Sequence, residues 1–185
     1  MSLMRVLQSG LKLQTRDGAI STGDNICGSM AKHFQVSGSG ELSFYQVISG
    51  SEPSAERIAL GVMLTKVRGG RARVDDVEAC LIDEDAVQAT GVHAHQDKGG
   101  ETPLPDVNEM HWAVENVTIR RLAELIVAAL NPKKELYVSR AELAFALDKL
   151  RETAECPDLG LSDQVLDDLA EIRKTKAYKK LGRCG

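Results

Sequence analysis

One change of hydrophobic period, near residue 117, limits what this chain can fold into. Upstream, apolar residues alternate with polar ones: Leu42 and Phe44 against Ser43, then Met110, Trp112 and Val114 against His111, Ala113 and Glu115. Such alternation sends successive side chains to opposite faces of a strand. Downstream, Leu143, Leu147 and Leu150, then Val165, Leu169 and Ile172, recur at helical spacing. Strands followed by helices predict an α+β fold. The expected form is an antiparallel β-meander extended by a strand–helix–strand unit, with C-terminal helices packed on one face. The 185 residues suit one domain, residues 1–185, β-rich over 1–117 and helical over 118–181.

Turn and cap signals divide this plan into elements. Ser9-Gly10 joins strands at Leu3–Gln8 and Leu11–Thr15, and Asp17-Gly18 marks another turn. Ser37-Gly38-Ser39-Gly40 separates strands at Lys32–Val36 and Glu41–Ser49. Met1-Ser2-Leu3 reads as a leader ahead of Met4. Over 51–68, Ser51 as cap, Pro53 in the first turn and the stop at Gly69-Gly70 predict a helix, although Ile58, Leu60, Val62 and Leu64 also alternate. A strand at Val74–Ile82 leads through Asp83 into a short helix closed by Gly91. Val92–Gln96 is a strand, 97–107 a loop, and the alternation over 110–114 suggests a strand, although a helical start also fits. Thr118–Leu130 is a very apolar helix ended by Asn131-Pro132. Ser139 and Glu142 form a capping box ahead of the next helix, which Cys156-Pro157 closes. Leu161 and Leu166 staple the last helix around Ser162.

Composition excludes several classes. A net charge of -4, a pI near 5.6 and 4% aromatic residues disfavour nucleic acid, which needs cations for phosphate and aromatic platforms for bases. The basic stretch Arg173, Lys174, Lys176, Lys179, Lys180 and Arg183 is read as complementing a helix C-terminus that frays into solvent. Cys27, Cys80, Cys156 and Cys184 are scattered without C-x-x-C spacing, which argues against a zinc ribbon and for a reducing compartment. No run reaches the roughly 18 apolar residues of a membrane span, so a cytoplasmic protein is expected. Arg68-Gly69-Gly70-Arg71 lacks P-loop spacing. The acidic residues Asp75, Asp76 and Glu78, then Asp83, Glu84 and Asp85, are read as a solvated face and a helix cap.

One cluster carries the elements of chemistry: His93, His95, Glu101, Asp106 and His111. On a strand, His93 and His95 share a face with Cα atoms about 7 Å apart. Two imidazoles, a loop carboxylate and a water make a zinc site, whose bound water is a nucleophile near neutral pH. Glu101 or Asp106 could serve as general base. Neither the cupin pattern nor that of the JAMM-type metalloproteases is met. Glu101 stands too far from His95 for the first, and Gln96 replaces the proline of the second. With no nucleophile elbow or dinucleotide fingerprint, the expectation is a small non-catalytic cytoplasmic protein without a cofactor. It would act on a protein partner or on a second copy of itself through the apolar 118–130 helix. The alternative is a metal-dependent hydrolase, with Zn as cofactor, centred on His93 and His95.

Overall fold

The computed structural model describes residues 2–7, 41–130, 135–153 and 159–183. The turns expected at Ser9-Gly10, Asp17-Gly18 and Ser37–Gly40, the strands at 11–15 and 32–36, and Cys27, Cys156 and Cys184 lie outside the described residues. Among those described, six strands form one antiparallel sheet: β1 (Ser2–Leu7), β2 (Leu42–Val47), β3 (Val77–Asp83), β4 (His93–Gln96), β5 (His111–Glu115) and β6 (Glu135–Val138). Their order is β4-β5-β2-β1-β3-β6. Seven described helices accompany them: α1 (Ala55–Arg68), α2 (Glu84–Ala89), α3 (Pro105–Asn108), α4 (Ile119–Leu130), α5 (Arg140–Arg151), α6 (Asp163–Lys174) and α7 (Lys176–Leu181). The fold is α+β, as the change of period predicts.

Alternation along the strands sorts apolar side chains into two cores, one on each face of the sheet. Leu3, Leu7, Leu42, Phe44, Cys80 and Ile82 point to one face, where Val87 of α2 and Leu125 and Ile126 of α4 cover them. Met4, Tyr45, Val77 and Ala79 point to the other, beneath α1, α5 and α6. Leu3 and Met4 are both fully buried, on opposite faces. Ser2 and Leu3, read as a leader, thus belong to an interior strand paired with both β2 and β3. The expectation of C-terminal helices on one face describes α5, α6 and α7, while α4 lies against the other. The strand–helix–strand unit runs from β3 through α2 to β4, carrying the chain from near one edge of the sheet to the opposite edge.

Local signals place most boundaries. Ser139 and Glu142 make the capping box reciprocally, with Oε2 of Glu142 accepting from the Ser139 N–H at 2.8 Å and Oγ of Ser139 accepting from the Glu142 N–H at 3.3 Å. The helix expected at 51–68 begins later, because Ser54 rather than Ser51 accepts from the Arg57 N–H. Ser51 instead donates to the Ile48 carbonyl. Strand β6 lies where no strand is expected. The acidic residues at 75 and 76 have structural tasks: Asp75 pairs with Arg71, and Asp76 accepts from the Arg140 N–H at the start of α5.

The C-terminal end is docked rather than frayed. Asp148 on α5 accepts two hydrogen bonds from the Arg173 guanidinium of α6, one of 2.8 Å from Nε, and a third of 2.7 Å from the Tyr178 hydroxyl of α7. The Tyr178 ring meets Phe145 edge-on with centroids 5.8 Å apart. Lys174 pairs with Glu171. Burial alone would raise the Asp148 carboxyl, but its hydrogen bonds with Arg173 and Tyr178 outweigh that and hold it below its usual value. A carboxyl whose folded pKa is depressed contributes stability above its unfolded value, and that stability is lost as pH falls through the folded one. Asp148→Asn should therefore cost about 1–2 kcal/mol at neutral pH, allowing for screening of the partly exposed Arg173. Urea midpoints of wild type and variant should converge on acidification below the usual 3.8. A pH-independent difference would mean that the ion pair is not what joins these helices.

Candidate metal centre and the pocket beside it

Strands β4 and β5 pair at the edge of the sheet, and their register builds the site. His93 lies opposite Glu115, Ala94 opposite Val114, and His95 opposite Ala113. Val92, Ala94 and Val114 are buried in the α4-side core, which fixes the phase of both strands. His93, His95 and Glu115 therefore share the other face. Slipping either strand by one residue would bury the histidines and expose the valines, so hydrophobic burial holds the register. Gly91 at φ +74° makes the turn into β4, and Asn116 at φ +58° ends β5 just after Glu115.

On that face the three side chains converge. His93 Nδ1–H donates to Glu115 Oε2 at 3.3 Å, and His95 Nε2 stands 4.0 Å from Oε1. The two imidazoles stack with centroids 5.0 Å apart and planes at 26°. One donor atom from each residue falls within 4.8 Å of the others. Donors around a tetrahedral zinc sit about 3.4 Å apart, a difference that side-chain rotation on half-exposed residues covers. His95 Nδ1 is buried with no hydrogen-bond partner among the described residues, an uncommon state for a ring nitrogen.

The structure divides the sequence candidates among three places. His93 and His95 stay together and gain Glu115 as third donor. The ladder continues past them, where the Asp97 N–H donates to the His111 carbonyl at 2.9 Å, so His111 lies diagonally from His95 across the β4–β5 pair. Such diagonal Cα pairs are about 7–8 Å apart. His111 is nearly buried, donates Nδ1–H to the Asp97 carbonyl at 2.9 Å, and meets the Tyr45 ring edge-on at 5.4 Å. Its Nε2 remains as the ring's acceptor. Glu101 lines a polar pocket of about 370 Å³ together with His111, Tyr45, Lys66, Asp97 and Ser43. Ser43 and Tyr45 on β2 pair with Ala113 and His111 on β5. The pocket therefore rests on the same face as His93, His95 and Glu115, with the small side chain of Ala113 between them.

Asp106 is placed elsewhere. Its carboxylate takes two hydrogen bonds from Arg57, at 2.9 and 3.3 Å, beside a separate cavity of about 770 Å³ between α1, α3 and α5. That bidentate pair withdraws it from the role of general base at the histidines.

Burial tunes two groups in the polar pocket. The Tyr45 hydroxyl is pushed up to about 12, mainly by desolvation, with Arg5 opposing and Glu101 adding to the shift. The Lys66 ammonium is pushed below its usual value, first by desolvation and then by Arg71, while Asp75 opposes. Glu115 was legible in retrospect, because the alternation around Trp112 puts it on the His111 side of β5 and only the strand pairing was missing. Lys66 and Tyr45 gave no sequence signal, since a lysine on an amphipathic helix and an aromatic on a strand are ordinary.

The loop between β4 and β5, expected to lack structure, is tied down. Asn108 Oδ1 accepts from the Thr102 N–H and Asn108 Nδ2 donates to the Thr102 carbonyl, each at 2.9 Å. Residues 105–108 form α3. The loop packs closely on α1 at Gly61, where an added Cβ would stand 3.1 Å from Val107 Cγ1 and 3.3 Å from Thr102 Oγ1. Gly61→Val should cost about 1–3 kcal/mol in urea unfolding by forcing the loop off the helix. In Gly61→Ala, a gain in helix propensity of about 1 kcal/mol offsets part of the crowding. A Gly61→Val variant as stable as wild type would show that the seat is loose.

Comparison with protein-family models, with curated proteins and with solved structures finds no match, so the functional reading rests on the chemistry of the site.

Proposed function

We propose that this protein is a metal-dependent hydrolase that holds a zinc-type ion on His93, His95 and Glu115. The observation that carries the reading is the meeting of two imidazoles and a carboxylate, with donor atoms within 4.8 Å, on one face of one strand pair. Three protein ligands of this kind leave the fourth position of a tetrahedral ion to water, whose pKa falls towards about 7 on binding. His111 is the proton acceptor of this proposal. It stands diagonally from His95, and its Nδ1–H bond to the Asp97 carbonyl orients the ring and leaves Nε2 as the atom that can take a proton. The 370 Å³ pocket gives a small polar substrate a place beside the ion.

The other expectation, a non-catalytic protein acting through a partner or a second copy of itself, drew on the apolar surface of α4. That helix directs Leu125 and Ile126, both fully buried, into the sheet, with Leu122 and Val127 partly covered beside them. These four side chains are turned to the chain's own core, so the histidine–carboxylate cluster is the stronger ground.

Metal analysis after dialysis against zinc tests the proposal. About one ion per chain is expected, with at least a tenfold loss of affinity in His93→Ala and His95→Ala, and a smaller loss in Glu115→Gln. Glu101→Gln and Asp106→Asn should retain the metal. Undiminished zinc in the double variant His93→Ala/His95→Ala, or no zinc at all in wild type, would end the reading.

A further inference from the structure

The charged groups around the 370 Å³ pocket are not all engaged in the same way. Asp97 is committed: Oδ1 accepts from the Gly99 N–H at 3.0 Å, and Oδ2 lies 3.5 Å from His111 Nδ1. Glu41 has a partner of its own. The Lys66 and Glu101 side chains, by contrast, make no hydrogen bond or ion pair with any described residue. Both line the same pocket without pairing with each other.

This pattern selects against ligands of a single sign. An anion would answer Lys66 but face Glu101. A cation would face Lys66, whose ammonium is already partly stripped of water and would be left unpaired. A neutral ligand would desolvate both charges without answering either, which is costly. A ligand with one charge of each sign answers both. We infer that the pocket binds a small zwitterion, an α-amino acid or short peptide, with Lys66 taking the carboxylate and Glu101 the ammonium. Val62 supplies an apolar wall for the body of the ligand. The inference stands on the pocket alone. Taken together with the metal reading, it names the substrate class as a short peptide.

Calorimetric titration of the metal-stripped full chain tests it with three probes of similar size: glycylglycine, N-acetylglycine, which lacks the ammonium, and glycylglycinamide, which lacks the carboxylate. Glycylglycine should bind saturably, and each singly charged probe about tenfold more weakly, as expected for the loss of one charge-assisted contact. Lys66→Met should abolish the preference for glycylglycine over glycylglycinamide. Glu101→Gln should abolish its preference over N-acetylglycine. Both side chains reach solvent, so melting temperatures near wild type are expected and are checked first. Absence of saturable glycylglycine binding to wild type, or preferences unchanged in both variants, would overturn the inference. His93→Ala/His95→Ala should bind glycylglycine like wild type in the absence of metal. A failed metal centre and a failed pocket therefore give different results.

Discussion

Strand β1 is buried on both faces and bonded along both edges, and the positions of the other strands follow from it. Its six residues pair with β3 from Ser2 opposite Asp83 to Leu7 opposite Glu78, and three of them pair with β2. Leu3 and Leu7 go into one core, Met4 and Val6 into the other. A shift of one residue would exchange the two sets and destroy both cores together. The register of β1 thereby fixes β2, which fixes β5, which fixes β4. The histidines at the far edge take their orientation from apolar side chains three strands away.

This chain of registers explains how an exposed edge can hold an ordered cluster. Surface histidines and carboxylates ordinarily sample many rotamers, and the entropy of gathering them opposes a site. Here the backbone supplies most of the gathering. His93 is directly opposite Glu115 and His95 is one diagonal away, so only side-chain torsions remain to be set. The knot between Thr102 and Asn108 does the same for the loop that borders the pocket, and Gly61 lets α1 approach that loop.

Local features were legible in the sequence and non-local ones were not. The capping box at Ser139, the strand at Leu42–Val47 and the β4 strand follow from neighbours in the chain. The start of α1 was misplaced because Ser51 and Ser54 both suit a cap, and only the bond to the Arg57 N–H separates them. Strand β6 was missed because its four residues earn their conformation from pairing with β3, and a four-residue segment shows too little alternation to read. The carboxylate beside His93 and His95 is expected nearby, at Glu101 or Asp106, whereas Glu115, twenty residues beyond His95, stands there. Proximity along the chain was the wrong measure once a hairpin folds back on itself.

Trp112 lies on β5 between His111 and Ala113, on the opposite face of the strand from both. It is the chain's one tryptophan, half-buried in the α4-side core, with its indole Nε1 buried and unbonded to any described residue. The chain's intrinsic fluorophore thus stands in an apolar setting, one backbone's thickness from the histidine face.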